Sequence, residues 1–249
     1  MSQGNREGRR SARERLREER ERERAAERRK RSAKVAGTAV AVLAVATGIG
    51  VIAANGGDDG ENAPAAEPIA VGETSAPATM AIYEDFRCPA CGQFENTFGE
   101  TIRDLTDEGK LRVDYHLVSI IDGNMGGNGS KFAANAALCA RDAGAFQEYH
   151  DLLFAHQPAE SDDAFADKAR LIDLAGDVDG LDTASFRSCV EDGSHEEWVS
   201  SANAGFLDSD FTGTPTVLLQ GEDIYGAADE PLTPERLRER VEEIAGSEG

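Results

Sequence analysis

The chain has 249 residues, enough for one medium domain with appendages, and a formal net charge of −21. The charge is unevenly spread: residues 1–34 hold 14 Lys+Arg against 7 Glu, and the remainder holds 12 basic against 40 acidic residues. So acidic a body repels phosphate and is a poor nucleic-acid binder, and ends this different meet different surroundings.

Residues 11–31 (SARERLREERERERAAERRKR) alternate Arg and Glu, with many pairs three or four apart, the pattern of a single solvated helix. Such a head suits contact with anionic lipid or nucleic acid, or, more simply, acts as a topology determinant. Val35 to Ala54 follows without a charge; about twenty apolar residues match a bilayer core crossed as a helix. Its N-terminal flank holds Arg28, Arg29, Lys30, Arg31 and Lys34, and its C-terminal flank Asp58, Asp59 and Glu61. The positive-inside rule then places the head in the cytoplasm and everything after about residue 55 outside. Ala44-Val45-Ala46 also has the small-x-small look of a processing site, so a cleaved signal peptide is the rival to an uncleaved anchor. The expected organisation is a basic cytoplasmic head (1–34), a transmembrane anchor (35–54), a Gly-, Pro- and acid-rich linker (55–67) and a folded domain (68–249). Four cysteines, an even number, suit an oxidising compartment outside the cell.

In the folded part, Ile69-Ala70-Val71 reads as a short strand, and Thr79 to Phe86 as a strand that runs into Cys88-Pro89-Ala90-Cys91. A helix is expected from Pro89, tolerated in a first turn, to about Asp107, ended by Gly109. Leu111 to Ile121 alternates like a strand, and a Gly/Asn-rich loop spans 122–130. Phe132, Ala136, Cys139, Ala143 and Phe146 recur at four and three residues and predict one helical face. Further helices are expected at 162–175, 182–191 and 195–208. Strands are expected at Thr216 to Leu219 and Ile224-Tyr225, and a last helix capped by Thr233, with Pro234 in its first turn, runs to about Ala245. Phe86, Phe94, Phe98 and Trp198 are expected in the core, with Phe86 the first candidate for an apolar rim that meets unfolded clients.

The CxxC pair carries the chemistry. A thiol at a helix N-terminus feels the partial positive charge there, which favours its thiolate. A two-residue spacer lets the second sulfur close a reducible disulfide with the first. Half of a zinc site is the metal alternative, but it needs two further ligands. No second CxxC exists, and His116, His150, His156 and His195 are scattered. A purely structural disulfide is the other alternative. No metal and no cofactor is implied.

Tyr83-Glu84-Asp85-Phe86-Arg87-Cys88-Pro89-Ala90-Cys91, followed far downstream by Gly213-Thr214-Pro215-Thr216, resembles the DsbA-like branch of the thioredoxin superfamily over about residues 68–247. The resemblance implies an α/β thioredoxin-like fold with a helical insertion at about 128–208, here preceded by a single transmembrane helix. It implies that Cys88 is the nucleophile, Cys91 the resolving thiol, and Pro215 a proline whose preceding peptide bond is cis and which lies against the sulfurs. Thr214, Pro89 and Phe86 would then meet substrate, the Thr214 backbone by strand addition. Cys139 and Cys189 would form a second, structural bridge; two unpaired thiols are the alternative. Relatives often carry a buried carboxylate six residues before the first Cys, where this chain has Ile82; Glu84 and Asp85 are candidates for the proton work, or polar loop residues. Ala90 stands where family oxidants often have a His, which suggests a less oxidising potential within a span of roughly 150 mV, or about 7 kcal/mol for two electrons.

The function implied is an extracytoplasmic thiol–disulfide oxidoreductase that introduces disulfides into exported proteins, is reoxidised by a quinone-linked membrane partner, and touches lipid through its anchor. The same parts run backwards in a reductase or isomerase, as in cytochrome c maturation. A non-catalytic peptide-binding module is the alternative from another class.

Overall fold

The computed structural model describes residues 66–226 and 231–247. The expected head, the anchor and the linker as far as residue 65 lie outside the described residues. Among the described residues, no helix is long and apolar enough to cross a membrane.

Five strands form one sheet in the order β1-β3-β2-β4-β5. β1 (Ile69–Val71), β2 (Ala78–Glu84), β3 (Leu111–Leu117), β4 (Thr216–Leu219) and β5 (Glu222–Asp223) are named in chain order. β2 pairs in parallel with β3, from Ala78↔Leu111 to Glu84↔Leu117, and antiparallel with β4, with Tyr83 opposite Thr216. A parallel neighbour needs a crossover, which α1 (Pro89–Asp107) supplies. In β2 and β3 every second residue is fully buried, among them Met80, Ile82, Glu84, Val113, Tyr115 and Leu117. Period-two burial puts those side chains on one face, toward α1 and the C-terminal α8 (Pro234–Ser247). On the other face Tyr83 stacks on His116 at 4.2 Å between ring centres, and Phe206 and Phe211 pack against the Tyr83 ring.

Between β3 and β4 lie α2 (Ile120–Met125), α3 (Gly129–Asp142), α4 (Phe146–Ala155), α5 (Lys168–Leu174), α6 (Ala184–Asp192) and α7 (Glu196–Leu207). Several elements differ from the sequence expectation. The strand after Gly109 stops at Leu117 rather than Ile121, and the Gly/Asn-rich loop contains α2. Long-range partners explain this: Val118 N donates to Glu84 O, Ser119 N to Asn203 Oδ1 and Ile121 N to Asp85 Oδ2, so the chain leaves the sheet. The apolar stripe from Phe132 to Phe146 is not one helix. Gly144 takes φ 78° and Ala145 N donates to Ala140 O, a Schellman-type stop that leaves Ala143 exposed and lets Phe146 start α4. The expected helix at 162–175 is split into a 3-10 turn at Ala164–Ala166 and α5, because Asp167 caps the latter by accepting from Ala169 N. The last strand sits at Glu222–Asp223 rather than Ile224-Tyr225; Ile224 N still donates to Val217 O, while the Tyr225 ring packs on Phe94 and Phe98. Thr233 caps α8 as its sequence suggests, its hydroxyl accepting from Arg236 N.

Candidate thiol–disulfide site

Cys88 occupies the N-cap of α1, with extended backbone (φ −76°, ψ 117°), and Pro89 takes the first helical turn, where no N–H is needed. Cys88 O accepts from Cys91 N at 3.1 Å and from Gly92 N at 3.2 Å, so the first turn closes around the CxxC. Both sulfurs are free thiols. Cys88 is 7% exposed, and Cys91, one turn in, is 0% exposed. The Thr214–Pro215 bond is cis, and Cys88 Sγ donates to Thr214 O at 3.3 Å. The structure thus brings Cys88, Cys91 and Thr214–Pro215 together across 126 residues, with Pro89 exposed beside them.

The two sulfurs differ sharply. Cys88 is lowered from 9.0 to about 6, chiefly by the hydrogen bond from Cys91, against the cost of burial, with help from Thr214 and the N–H groups of Ala90 and Cys91. Those N–H groups lie in the first turn of the helix, where the backbone dipoles favour a negative charge. Cys91 is pushed well up, first by burial, then by its bond to Cys88 and the charges of Cys88 and Glu84. The first turn thus holds one thiol below its ordinary range and the other above it.

Phe86 does not form a surface rim. It is 1% exposed, packs on Phe154 at 4.8 Å and edge-on to His150, and so belongs to the core behind the site. It follows Glu84 by two, so the chain has already turned from the sheet and its ring points inward. Glu84 is the last residue of β2 and Asp85 lies in the loop that follows, and both are 0% exposed. Asp85 accepts from Arg87 N at 2.8 Å and Ile121 N at 2.9 Å, which shapes the turn into Cys88. Burial lifts its carboxyl to about 7 despite these donors and Ser130. Glu84 Oε1 takes a hydrogen bond from His150 Nε2 at 2.6 Å.

Three functional neighbours carried no local sequence signal. Gln157 Nε2 donates at 2.9 Å to both Phe86 O and Cys88 O, clamping the loop before α1. That approach requires Gly92, since a Cβ there would collide with Gln157 Oε1. Arg87, 2% exposed, bonds Asp122 at 2.7 Å, Asp163 at 2.9 Å and the carbonyls of Gly126 and Glu160. A buried cation so enclosed ties the CxxC turn to the helical block, and removing its partners would leave an uncompensated charge. The third neighbour is His150, whose ring sits among Phe86, Tyr115, Phe146 and Phe154.

Two groups among the described residues have the side-chain types of a metal site. In one, Cys139 and Cys189 are already bonded to each other across 50 residues, joining α3 to α6. In the other, Glu84 Oε1 and His150 Nε2 stand 2.6 Å apart. Two ligands about 2.1 Å from a tetrahedral ion lie about 3.4 Å apart, so this contact is a hydrogen bond rather than half of a coordination shell.

Known proteins resemble this arrangement. DsbA of Mycobacterium tuberculosis, in its oxidised form, superposes with a TM-score of 0.62 at 33% identity, covering 72% of this chain and 93% of that one. Disulfide bond formation protein D of Bacillus subtilis is 26% identical over 171 residues, 64% of this chain and 70% of the relative. The Na(+)/H(+) antiporter NhaA 1 of Salinispora arenicola is 33% identical over 158 residues; the chain spans only 22% of that relative's length. A family profile described as thioredoxin matches residues 65–243. Given that match, and a likeness that takes in nearly all of a mycobacterial DsbA, this chain belongs to the thioredoxin family, on its DsbA-like branch.

Proposed function

We propose that the protein is an extracytoplasmic thiol–disulfide oxidoreductase, tethered to the cell membrane through residues 35–54, that introduces disulfides into exported proteins. The observation that carries this reading is the contrast between two sulfurs one helical turn apart, with Cys88 lowered to about 6 and Cys91 pushed well above 9.0. A stable thiolate is a good leaving group, and a pair that favours its reduced form oxidises others. In the forward direction, a client thiolate attacks Cys88 Sγ of the oxidised pair, and the bond to Cys91 breaks. A second client thiolate then attacks the client sulfur of the mixed disulfide and releases Cys88 as thiolate. A quinone-linked membrane partner reoxidises the pair.

The exposed Pro89 and the backbone of Thr214, beside cis Pro215, flank the Cys88 sulfur. They suit an extended client segment held by backbone pairing, which is sequence-tolerant. The Cys139–Cys189 bond serves as a structural tie, as suits a domain outside the cytoplasm. The basic head would stay inside the cell and residues 55–67 would act as the tether.

A redox titration read by alkylation tests the direction. A reduction potential for Cys88/Cys91 well above about −250 mV is expected, and one near or below it would turn the assignment to a reductase. In parallel, Cys91→Ala is expected to trap mixed disulfides with clients through Cys88. A complete lack of trapped adducts would favour a peptide-binding module.

A further inference from the structure

Exchange at a disulfide needs the incoming sulfur, Cys88 Sγ and Cys91 Sγ nearly in line. The backbone that carries Cys88 therefore has to be held while its sulfur stays open to the client. Cys88 has left β2 and not yet joined the helix; its extended backbone (φ −76°, ψ 117°) is the N-cap of α1. Its sulfur lies 3.3 Å from Thr214 O.

The residues that lead into Cys88 are met by a different part of the chain, the end of α4 and the loop after it. The Phe154 ring packs on the Phe86 ring at 4.8 Å between centres. Gln157 Nε2, from a half-buried side chain, donates at 2.9 Å to Phe86 O and at 2.9 Å to Cys88 O. Glu160 O accepts from Arg87 Nη2 at 3.0 Å, and Asp163 pairs with Arg87 Nη1 at 2.9 Å. Three successive residues are thus gripped by one stretch of the helical block. Gln157 is the member that reaches the nucleophile itself, through its carbonyl rather than its sulfur. The same carbonyl accepts from Cys91 N and Gly92 N, so the amide joins the first turn of α1.

Gly92 is an independent sign that this contact is built in. A Cβ at that position would collide with Gln157 Oε1 and stand 3.0 Å from Gln157 Cδ. Glycine inside a helix is less stable than alanine. The bare position therefore gives up helix stability and in return admits the amide.

We propose that Gln157 is a positioning residue of the exchange reaction, holding the Cys88 backbone so that its sulfur stays at the first-turn N–H groups and against Thr214 O for every client alike. The inference rests on the exchange reading above. The hydrogen bond from Cys91, opposed by burial and helped by Thr214 and the N–H groups of Ala90 and Cys91, lowers the Cys88 thiol. Such bonds weaken steeply with distance and angle. Without the amide, residues 86–88 relax, those bonds loosen, and both the thiolate and the line of attack suffer.

Glutathione and a reduced two-cysteine peptide, reacting with the oxidised full-length protein, supply the test. A glutathione thiolate attacks Cys88 Sγ and the bond to Cys91 breaks. A second glutathione thiolate attacks the glutathione sulfur of the mixed disulfide, leaving glutathione disulfide and a protein dithiol. The peptide runs the same two steps with its own pair of thiols. Gln157→Ala is expected to slow both reactions by one common factor, about tenfold. It is also expected to move the pH midpoint of Cys88 alkylation by iodoacetamide upward, a change that a merely structural clamp would not produce. Gly92→Ala, whose methyl takes the place of the amide, is expected to give the same two changes. Added to Gln157→Ala it is expected to change neither further. Gly92→Ala decides alone if Gln157→Ala does not fold. A folded variant in which either the rate or the midpoint keeps its wild-type value overturns the positioning role. Slowing with the peptide but not with glutathione overturns it too, in favour of a client contact. No reaction with glutathione in the unmodified protein overturns the exchange reading, and the positioning role with it.

Discussion

The molecule holds two pairs of cysteines, and they are built for opposite ends. Cys139 and Cys189 join two helices of the block between β3 and β4 across 50 residues. Closing such a loop stabilises by about 4 kcal/mol in the chain-entropy model, whereas the four-residue CxxC loop would add about 2. The distant pair is worth more as a tie. Cys88 and Cys91 instead sit where a helix starts, one sulfur at the first-turn N–H groups and against Thr214 O, the other walled in one turn below. Their surroundings split two identical thiols into an acidic one and a reluctant one. The lesson is that a sulfur pair takes its role from the backbone dipoles and burial around it.

The largest expected effect breaks one pair and leaves the other alone. Cys88→Ser is expected to abolish reductive cleavage of insulin and oxidative refolding of a reduced client while the circular dichroism spectrum stays native; retained turnover would refute the assigned nucleophile. The converse change, Cys139→Ser with Cys189→Ser, is expected to lower stability by about 4 kcal/mol in urea unfolding and to leave the alkylation rate of Cys88 unchanged. Slowed alkylation of Cys88 in the folded double variant would mean that the tie also shapes the reactive turn.

Phe86→Ala probes the packing behind the reactive pair. A cavity there is expected to cost about 3 kcal/mol or more, with client trapping by the folded fraction unchanged. A variant that keeps its stability but loses clients would return Phe86 to the rim. The smallest effect sharpens the electrostatic contrast. With Cys88 at about 6, its alkylation by iodoacetamide at pH 5 should run at about a tenth of the rate at pH 7. A rate that keeps climbing to pH 9 would describe an ordinary thiol. Because ionised Cys88 is favoured in the fold, the reduced protein should also gain stability as pH rises from about 6 toward 9 and lose that gain as pH falls through 6.

Much of this site can be read in the linear order of residues. An apolar strand that runs into Cys-Pro-Ala-Cys puts the first sulfur at a helix start, since Pro89 favours the first turn and Cys88 precedes it. The period-two run of β2 places Ile82 and Glu84 on one face, but whether a carboxylate there meets water or a histidine depends on α4, 66 residues away. Gln157 is 69 residues from the Cys88 carbonyl it clamps, and Arg87 finds its carbonyl acceptor on Glu160 at a separation of 73.

Local order determined most of the elements, the CxxC junction and the helix stops that depend on caps and turns, because those forces act within a few residues. Only the tertiary structure decided which carboxylates are buried, how far burial raises Cys91 and Asp85, and which backbone oxygen faces Cys88. Such shifts arise from desolvation and charge among groups that the chain brings together last, and no local pattern encodes a dielectric that exists only once the core has closed.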